Sequence, residues 1–403
     1  MSKKSKVLYI DFGPGFGGSV VNLSQLLTVS DELNVEPYLL IDHDDQKSKE
    51  ILQPFTKDFY YVKRGFNFKF GDKFIFESKV PWLKKVLILF KLIIQIFLNI
   101  PFYVKSIRFG LKIKPDFIYC NNIVSIDEVI ISWFLKSKVI CHAQRDFYNS
   151  SITRLAFGFV DQFVAISQYV KRNLLQAGVK EEKIVVIYNG VSIKDADKMV
   201  FQDFDHVKEK FNFNGLKVGL FGCLLKWKGQ DVLIDAVNIF MSRNRSSPVK
   251  FYIIGDSPGG DNSYENFLKN KVRENGLAES VEFSGYIKNV LSVMKFMDVV
   301  LHTSINPEPF GRVVIEAMSV GRPVIATNRG GPVEIIQNGK TGLLIEPGNP
   351  EALCEALESL LFNESYRLYL GRNAQDNVRL RFNFEMSILR FRKIFTLVEH
   401  DKI

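Results

Sequence analysis

A chain of 403 residues, 46% apolar and 24% charged, is globular and long enough for two buried cores at about 100–200 residues per domain. That composition excludes disordered, collagen-like and coiled-coil chains. The net charge of +9 is uneven: residues 1–200 hold 28 basic and 20 acidic residues, residues 201–403 hold 25 and 24, and residues 57–114 alone carry 13 basic against 3 acidic.

The first residues, up to Asp11, hold a run of only four apolar ones before an acid, short of the apolar stretch of ~7–15 that a secretory leader needs. Cys120, Cys141, Cys223 and Cys354 are scattered, with no CxxC and no His/Cys cluster, so neither a disulfide framework nor a metal site is expected. The expected location is the cytosol, with reduced thiols. A first strand, Val7–Asp11, runs into Gly13-Pro-Gly-Phe-Gly-Gly18, which satisfies GxGxxG. Asp42 ends the second strand, Pro37–Ile41, 24 residues after Gly18. This is the dinucleotide fingerprint with an acid for the ribose, so an NAD-dependent hydride-transfer enzyme is a competing reading. Against it, Pro14 removes an amide donor and stiffens the turn. The glycines let another group approach the backbone, and the following helix N-terminus favours an anion. The acidic run Asp42–Asp45 suggests either a metal or, as we expect, a helix cap or a solvated loop.

After a third strand, Phe59–Val62, residues 80–113 read as a basic apolar segment. Its strongly apolar uncharged run, Leu92–Val104, has 13 residues and contains Pro101, too short for the ~20 of a spanning helix. On a helical wheel Lys84, Lys91, Gln95 and Asn99 share one stripe among Leu, Ile, Val and Phe. Trp82, Lys85, Phe102, Tyr103, Lys105, Arg108, Phe109 and Lys112 form aromatic and basic rims, the pattern of a helix lying in an anionic membrane surface. The plainer reading is an unusually apolar core helix. No nucleic-acid motif accompanies the charge, so nucleic acid is not expected.

Further strands follow at Phe117–Tyr119, Val139–Cys141, Gln162–Ala165 and Val185–Tyr188. The second half adds Lys217–Phe221, Lys250–Ile254, Val281–Ser284, Val299–His302, Pro323–Ala326 and Gly342–Ile345. Short apolar runs bounded by Gly, Asp or Pro, alternating with amphipathic stretches such as Ser167–Gln176 and Pro350–Leu361, are parallel strands with crossover helices. The break falls at Tyr188–Ser192, where Asn189-Gly190 makes a turn. Two doubly wound domains are predicted, with ligands at the carboxyl ends of strands in the cleft between them.

The second half carries the densest chemistry. Glu308 and Glu316 flank a turn of Pro307, Pro309 and Gly311, and Glu316 is expected about one and a half turns into the next helix. The turn offers amides to a pyrophosphate, and the carboxylates accept bonds from sugar hydroxyls. Upstream, Gly222–Gly229 brings Lys226 and Lys228 to the end of Lys217–Phe221, where cations stabilise a phosphate leaving group.

With these pieces in this order, the chain resembles the retaining, GT-B-fold nucleotide-sugar glycosyltransferases of glycosyltransferase family four (glycosyl transferases group 1). The carriers are Gly17-Gly18, Pro115–Cys120, His142 with Arg145-Asp146, Ala165–Lys171 and Ile187–Val191. In the second half they are Lys228-Gly229, Ile254–Asp256, Phe283–Tyr286, and Glu308-Pro-Phe-Gly through Glu316-Ala, with seven residues between the glutamates. The resemblance implies an acceptor-binding Rossmann-like domain at 1–190, a nucleotide-sugar domain at 191–380, and a helix over 381–403 crossing back to the first.

It also implies roles. Glu316 binds the donor ribose, Glu308 holds the donor sugar's hydroxyls near the reaction, and the amides of Phe310, Gly311 and Arg312 touch sugar and phosphate. Lys228 binds the diphosphate, Tyr286 and Ile287 line the base pocket, Gly17 and Gly18 approach the diphosphate and sugar, and His142 points at the sugar's outer hydroxyls. No metal or other cofactor is implied. The implied reaction moves a sugar from a nucleotide-diphosphate sugar to a glycan or lipid-linked acceptor in lipopolysaccharide, capsule or glycolipid assembly, at the inner face of the cell membrane. A sugar-nucleotide epimerase of the same fold and a non-catalytic binding protein are the alternatives. The family usually has Arg after the glycine equivalent to Gly222. Here Cys223 stands there, and Lys226 is the expected substitute. Ser192 stands where the family's hinge motif ends in Asp.

Overall fold

A computed structural model describes residues 4–400 apart from 14, 16, 66–80, 195, 197, 199–203, 246, 258 and 259. Pro14, Val80 and the side chains of Trp82, Lys84, Lys85 and Lys91, all invoked above, lie outside the described residues. The chain divides into two compact units. The first comprises residues 1–166, 170–187 and 388–403, and the second 167–169 and 188–387.

The first unit is a seven-stranded, all-parallel sheet in the order β3-β2-β1-β4-β5-β6-β7. Its strands are β1 (Ser5–Asp11), β2 (Val35–Ile41), β3 (Asp58–Tyr61), β4 (Phe117–Asn121), β5 (Lys138–Ala143), β6 (Gln162–Ala165) and β7 (Ile184–Val186). Every residue of β4 is buried, as expected of a strand covered on both faces. The helices are α1 (Gly18–Thr28), α2 (Gln46–Leu52), α3 (Pro81–Leu98), α4 (Ile100–Ile113), α5 (Ile126–Leu135), α6 (Ser151–Gly158) and α7 (Gln168–Gln176).

The basic apolar segment is broken. Asn99 is buried, Pro101 opens a new helix, and the described part of α3 meets α4 at 63°, as a proline at the first helical turn permits. Phe102, Tyr103 and Phe109 are buried. They belong to the core under α4 and not to a membrane rim, because the helical period turns them toward the sheet, away from Lys105, Arg108 and Lys112. Among the described residues no single helix is long and apolar enough to cross a bilayer; only the bent pair Leu92–Leu98 and Ile100–Ile113 passes on composition.

The second unit is a six-stranded parallel sheet, β10-β9-β8-β11-β12-β13, formed by β8 (Leu216–Phe221), β9 (Val249–Ile254), β10 (Val281–Gly285), β11 (Val299–His302), β12 (Val324–Thr327) and β13 (Leu343–Ile345). Around it lie α8 (Phe204–Lys210), α9 (Gln230–Arg243), α10 (Ser263–Glu274), α11 (Val290–Phe296), α12 (Arg312–Ser319), α13 (Pro332–Ile335), α14 (Pro350–Leu361), α15 (Glu364–Arg381) and α16 (Phe384–His400). Leu233, Val237, Phe240, Phe251 and Leu301 are fully enclosed at the core. The strand order reverses between β8 and β11, so the loops leaving their carboxyl ends diverge and leave room for a ligand. Ser192 donates to Glu385 Oε1 (3.1 Å). From Ile388 onward α16 belongs to the first unit, where Phe391 and Phe395 pack edge-on against His142 and Phe117.

Candidate functional site

The switch point of the second sheet gathers a charged cluster. The loop after β8 makes a short turn at Lys226–Lys228 and ends in Gly229, with φ 72°. A Cβ there would lie 2.2 Å from the Thr303 carbonyl oxygen, so only glycine lets the two loops close. Thr303 Oγ1 donates to the carbonyls of Lys228 (2.9 Å) and Gly229 (3.1 Å), fixing one loop to the other. The Glu308 carbonyl accepts from Gly331 N at 2.8 Å, and a Cβ on Gly330 would sit 2.2 Å from that same carbonyl oxygen. Backbone contacts thus place both side chains before any ligand arrives.

Lys228 Nζ lies 2.6 Å from Glu308 Oε2 and 4.2 Å from the centre of the Trp227 ring. Ser304 Oγ donates to the same oxygen at 3.1 Å, and His302 Nε2 stands 3.4 Å from it. All described partners converge on Oε2, and none of the described residues reaches Oε1. Burial pushes the Glu308 carboxyl up, but the Lys228 ammonium and then His302 overturn that and hold it well below the usual carboxylate range. It is an ionised acceptor with one oxygen anchored and the other open.

Gly311, at φ 97°, caps α12, so this helix's positive end follows Glu308 closely in the chain. Glu316 stands about one turn into α12, not one and a half, because the helix begins at Arg312. Its Oε1 pairs with Arg312 Nη2 at 2.9 Å. The Phe310 side chain is buried against Phe382 and Tyr188, which leaves its backbone to serve a ligand. Tyr286 is exposed and Ile287 half-buried, just beyond the end of β10. Lys226 is exposed and has no ion-pair partner among the described residues; Cys223 is exposed as well. Sequence reasoning missed His302, Thr303, Ser304 and the Gly330-Gly331 pair. The available signal was a polar run, His-Thr-Ser, at the end of a buried apolar strand.

In the first unit Gly17 caps α1 with an extended backbone, φ 178°, and a Cβ built on it meets nothing within 4 Å. Neither packing nor conformation demands glycine there. Asp42 accepts from Gly13 N (3.2 Å) and pairs with Arg64 Nε (3.0 Å), so both its oxygens are engaged and it is no open ribose acceptor. Asp45 caps α2 through Ser48 N (2.9 Å). Arg145 and Asp146 are exposed, and Asp146 accepts from Asn173 at 3.0 Å. His142 is enclosed, with no described partner at Nε2. It is 4% exposed, its Nδ1 is bonded to the Tyr119 hydroxyl at 2.8 Å, and Tyr119 and Phe391 pack around it. Burial lowers its pKa to about 3, so it is a neutral ring.

Two doubly wound parallel sheets on one chain, the second carrying this carboxylate–ammonium pair at its switch point, define the GT-B architecture of glycosyltransferases. HepE of Anabaena, in a structure with UDP-glucose, superposes with a TM-score of 0.78 at 23% identity, covering 97% of this chain and 99% of that one. The profile for Glycosyl transferases group 1 matches residues 201–377, and that for Glycosyltransferase Family 4 matches residues 53–195. The chain belongs to this family, glycosyl transferases group 1 of glycosyltransferase family four. An uncharacterized glycosyltransferase of Methanocaldococcus jannaschii is 33% identical over 58% of this chain and 59% of its own length. The capsular polysaccharide biosynthesis glycosyltransferase CapM of Staphylococcus aureus is 28% identical over 58% and 60%. These alignments span about three fifths of the length of the curated relatives.

Proposed function

We propose that the protein is a retaining, metal-independent glycosyltransferase that moves a hexosyl-type sugar from a nucleotide-diphosphate sugar to a membrane-associated or lipid-linked glycan acceptor. The observation that carries this is the Glu308 carboxylate, ionised and anchored by Lys228, Ser304 and His302 through Oε2 while Oε1 stays open. Oε1 accepts from the donor sugar's hydroxyls. The Lys228 ammonium and the N-terminal amides of α12 stabilise the leaving diphosphate, Lys226 adds charge in place of the arginine absent at Cys223, and Glu316 takes the ribose. The acceptor oxygen bonds to the anomeric carbon on the face the phosphate leaves, and its proton passes to that phosphate. UDP-glucose in the HepE structure supports a nucleotide sugar as donor, and the capsular role in the name of the CapM relative supports a glycan product.

The acceptor side is assigned to the first unit. There the outer face of α3 and α4 exposes Phe90, Ile93, Phe97 and Val104 beside Lys105, Arg108 and Lys112, which suits the inner surface of an anionic membrane. A thermal-shift panel of UDP-, GDP-, ADP- and dTDP-sugars tests the donor. One of them, at 100 times its dissociation constant, is expected to stabilise the protein by ~2.7 kcal/mol. A shift with NADH and none with any nucleotide sugar sinks the reading. Product analysis with donor alone separates transfer from epimerisation.

A further inference from the structure

The described surface of the first unit has a second apolar feature, outside α3 and α4. At the C-terminal end of α5, Trp133 and Phe134 are 67% and 52% exposed, with their rings edge-on at 4.9 Å. Lys136, in the left-handed region at φ 53°, ends the helix. With Val139 and with Phe159, which follows α6, these residues line a cavity of about 500 Å³. Phe159 and Leu155 are themselves 49% and 55% exposed. Adjacent large aromatics left in water forfeit the burial that ordinarily holds such side chains inside.

The helix that carries the cavity packs directly on α4, one of the two helices already assigned to a membrane. Gly110 of α4 packs so tightly on Leu135 that a Cβ would lie 2.3 Å from its Cδ1. The chain neighbours of that contact, Leu111 and Phe134, are both exposed. The surroundings carry a cationic excess: residues 81–161 hold 11 basic and 5 acidic residues. Of the acids, Asp127 and Glu128 are buried, Asp116 is tied to Lys6 N, Asp161 accepts from Val139 N (2.7 Å) and pairs with Lys138 (3.6 Å), and Asp146 is exposed on the loop after β5. Aromatic side chains beside an excess of lysines and arginines match the headgroup zone of an anionic bilayer.

We infer that the Trp133–Phe134 cavity is a lipid seat: its aromatic walls take acyl chain and Lys136 faces the anionic headgroup, giving the first unit a second anchor on the bilayer. This rests on the proposed membrane contact of α3 and α4, and adds to it a separate site on α5 and α6.

The test uses the full chain with vesicles of phosphatidylglycerol and phosphatidylcholine, and with phosphatidylcholine alone. Co-sedimentation of the wild type with the anionic vesicles is expected. The double variant Trp133→Ser/Phe134→Ser, its fold checked by circular dichroism, is expected to bind about tenfold more weakly, since each buried aromatic adds apolar area to the anchor. Lipids brominated in the acyl chain are expected to quench tryptophan emission, and Trp133→Phe, which keeps the aromatic wall, is expected to bind normally while losing most of that quenching. Wild-type binding that the double variant matches, or quenching unchanged in Trp133→Phe, overturns the lipid seat and leaves α3 and α4 as the membrane contact. Equal binding to both vesicle types overturns the role of the headgroup. Self-association of the wild type that the double variant abolishes makes the occupant a second copy and overturns the inference. No binding by the wild type removes the membrane reading itself.

Discussion

Each sheet has a polar cluster at the point where its strand order reverses, and the two clusters differ in what they leave open. In the first unit Asp11 accepts from Asn121 (2.9 Å), Asn122 (3.3 Å) and His43 (3.1 Å). Asp42 is held by Gly13 N and Arg64, and Asp127 by Arg64 (3.0 Å) and Tyr103. Each carboxylate has a described partner at both oxygens, Asp127 Oδ2 by an ion pair with Arg64 and without a hydrogen bond. In the second unit three groups crowd one oxygen of Glu308 and leave the other without a described partner. Internal satisfaction makes a scaffold, which here holds the glycine turn; the unmatched oxygen makes a site.

The largest effect that sharpens this contrast is expected at Glu308. Glu308→Gln keeps the shape but loses the charge and is expected to lower kcat by about 10²–10³ in a transfer assay; unchanged turnover erases the distinction between the clusters. Arg64→Met is its counterpart in the first unit. It leaves Asp42 and Asp127 without their cation and is expected to cost about 3–5 kcal/mol in denaturant unfolding, while isolated donor binding holds.

Acid separates the units next. The folded-state pKa of His142 lies at about 3, below an unfolded value of about 6.5, so the stability from its neutral ring is full above that value and lost as pH falls. His43 works in the opposite sense: burial lowers it, but Asp11, Asp42 and Asp45 outweigh this and raise it overall. The measurement is therefore a difference. Between pH 7 and pH 5 the wild type is expected to lose about 2 kcal/mol more than His142→Phe. Glu308, held low, stabilises above the ordinary carboxylate value and loses that contribution only below about pH 4.

His302→Asn is a smaller probe of positioning and is expected to lower kcat about tenfold with little change in KM. A change confined to thermal stability would make His302 merely structural. Smallest of all is Gly17→Ala, which meets no atom and needs no unusual φ, so stability should stay within about 0.5 kcal/mol. A large drop in melting temperature would show that Gly17 serves the fold after all.

The architecture was legible because parallel strands buried on both faces are short unbroken apolar runs, and all thirteen of those named from the sequence correspond to strands β1–β13. Boundaries moved by a residue or two where the ladder continued into polar positions, as at Asn121 and His142. Glu308, Lys228 and Glu316 were legible because charge at strand ends and helix starts breaks the apolar pattern. The setting of His142 was not legible, because a histidine at a strand end looks the same whether it is open or, as here, enclosed with one nitrogen on a tyrosine hydroxyl. The Phe391 ring that helps enclose it comes almost 250 residues later. The support given by Ser304 and Gly330 was hidden for the same reason: it acts through contacts that adjacent positions do not encode.

The 2.6 Å pair of Lys228 and Glu308 makes the resting pocket behave as a two-key lock. A phosphate that draws the ammonium away strands a buried carboxylate, which costs free energy unless a hydroxyl arrives to satisfy it. A sugar alone finds Oε1 but gains nothing from Lys228. Only a molecule carrying both groups at once recovers both interactions. In the proposed reaction, the diphosphate left after transfer holds one key, so the pair that would select the intact donor would also favour expulsion of the spent one.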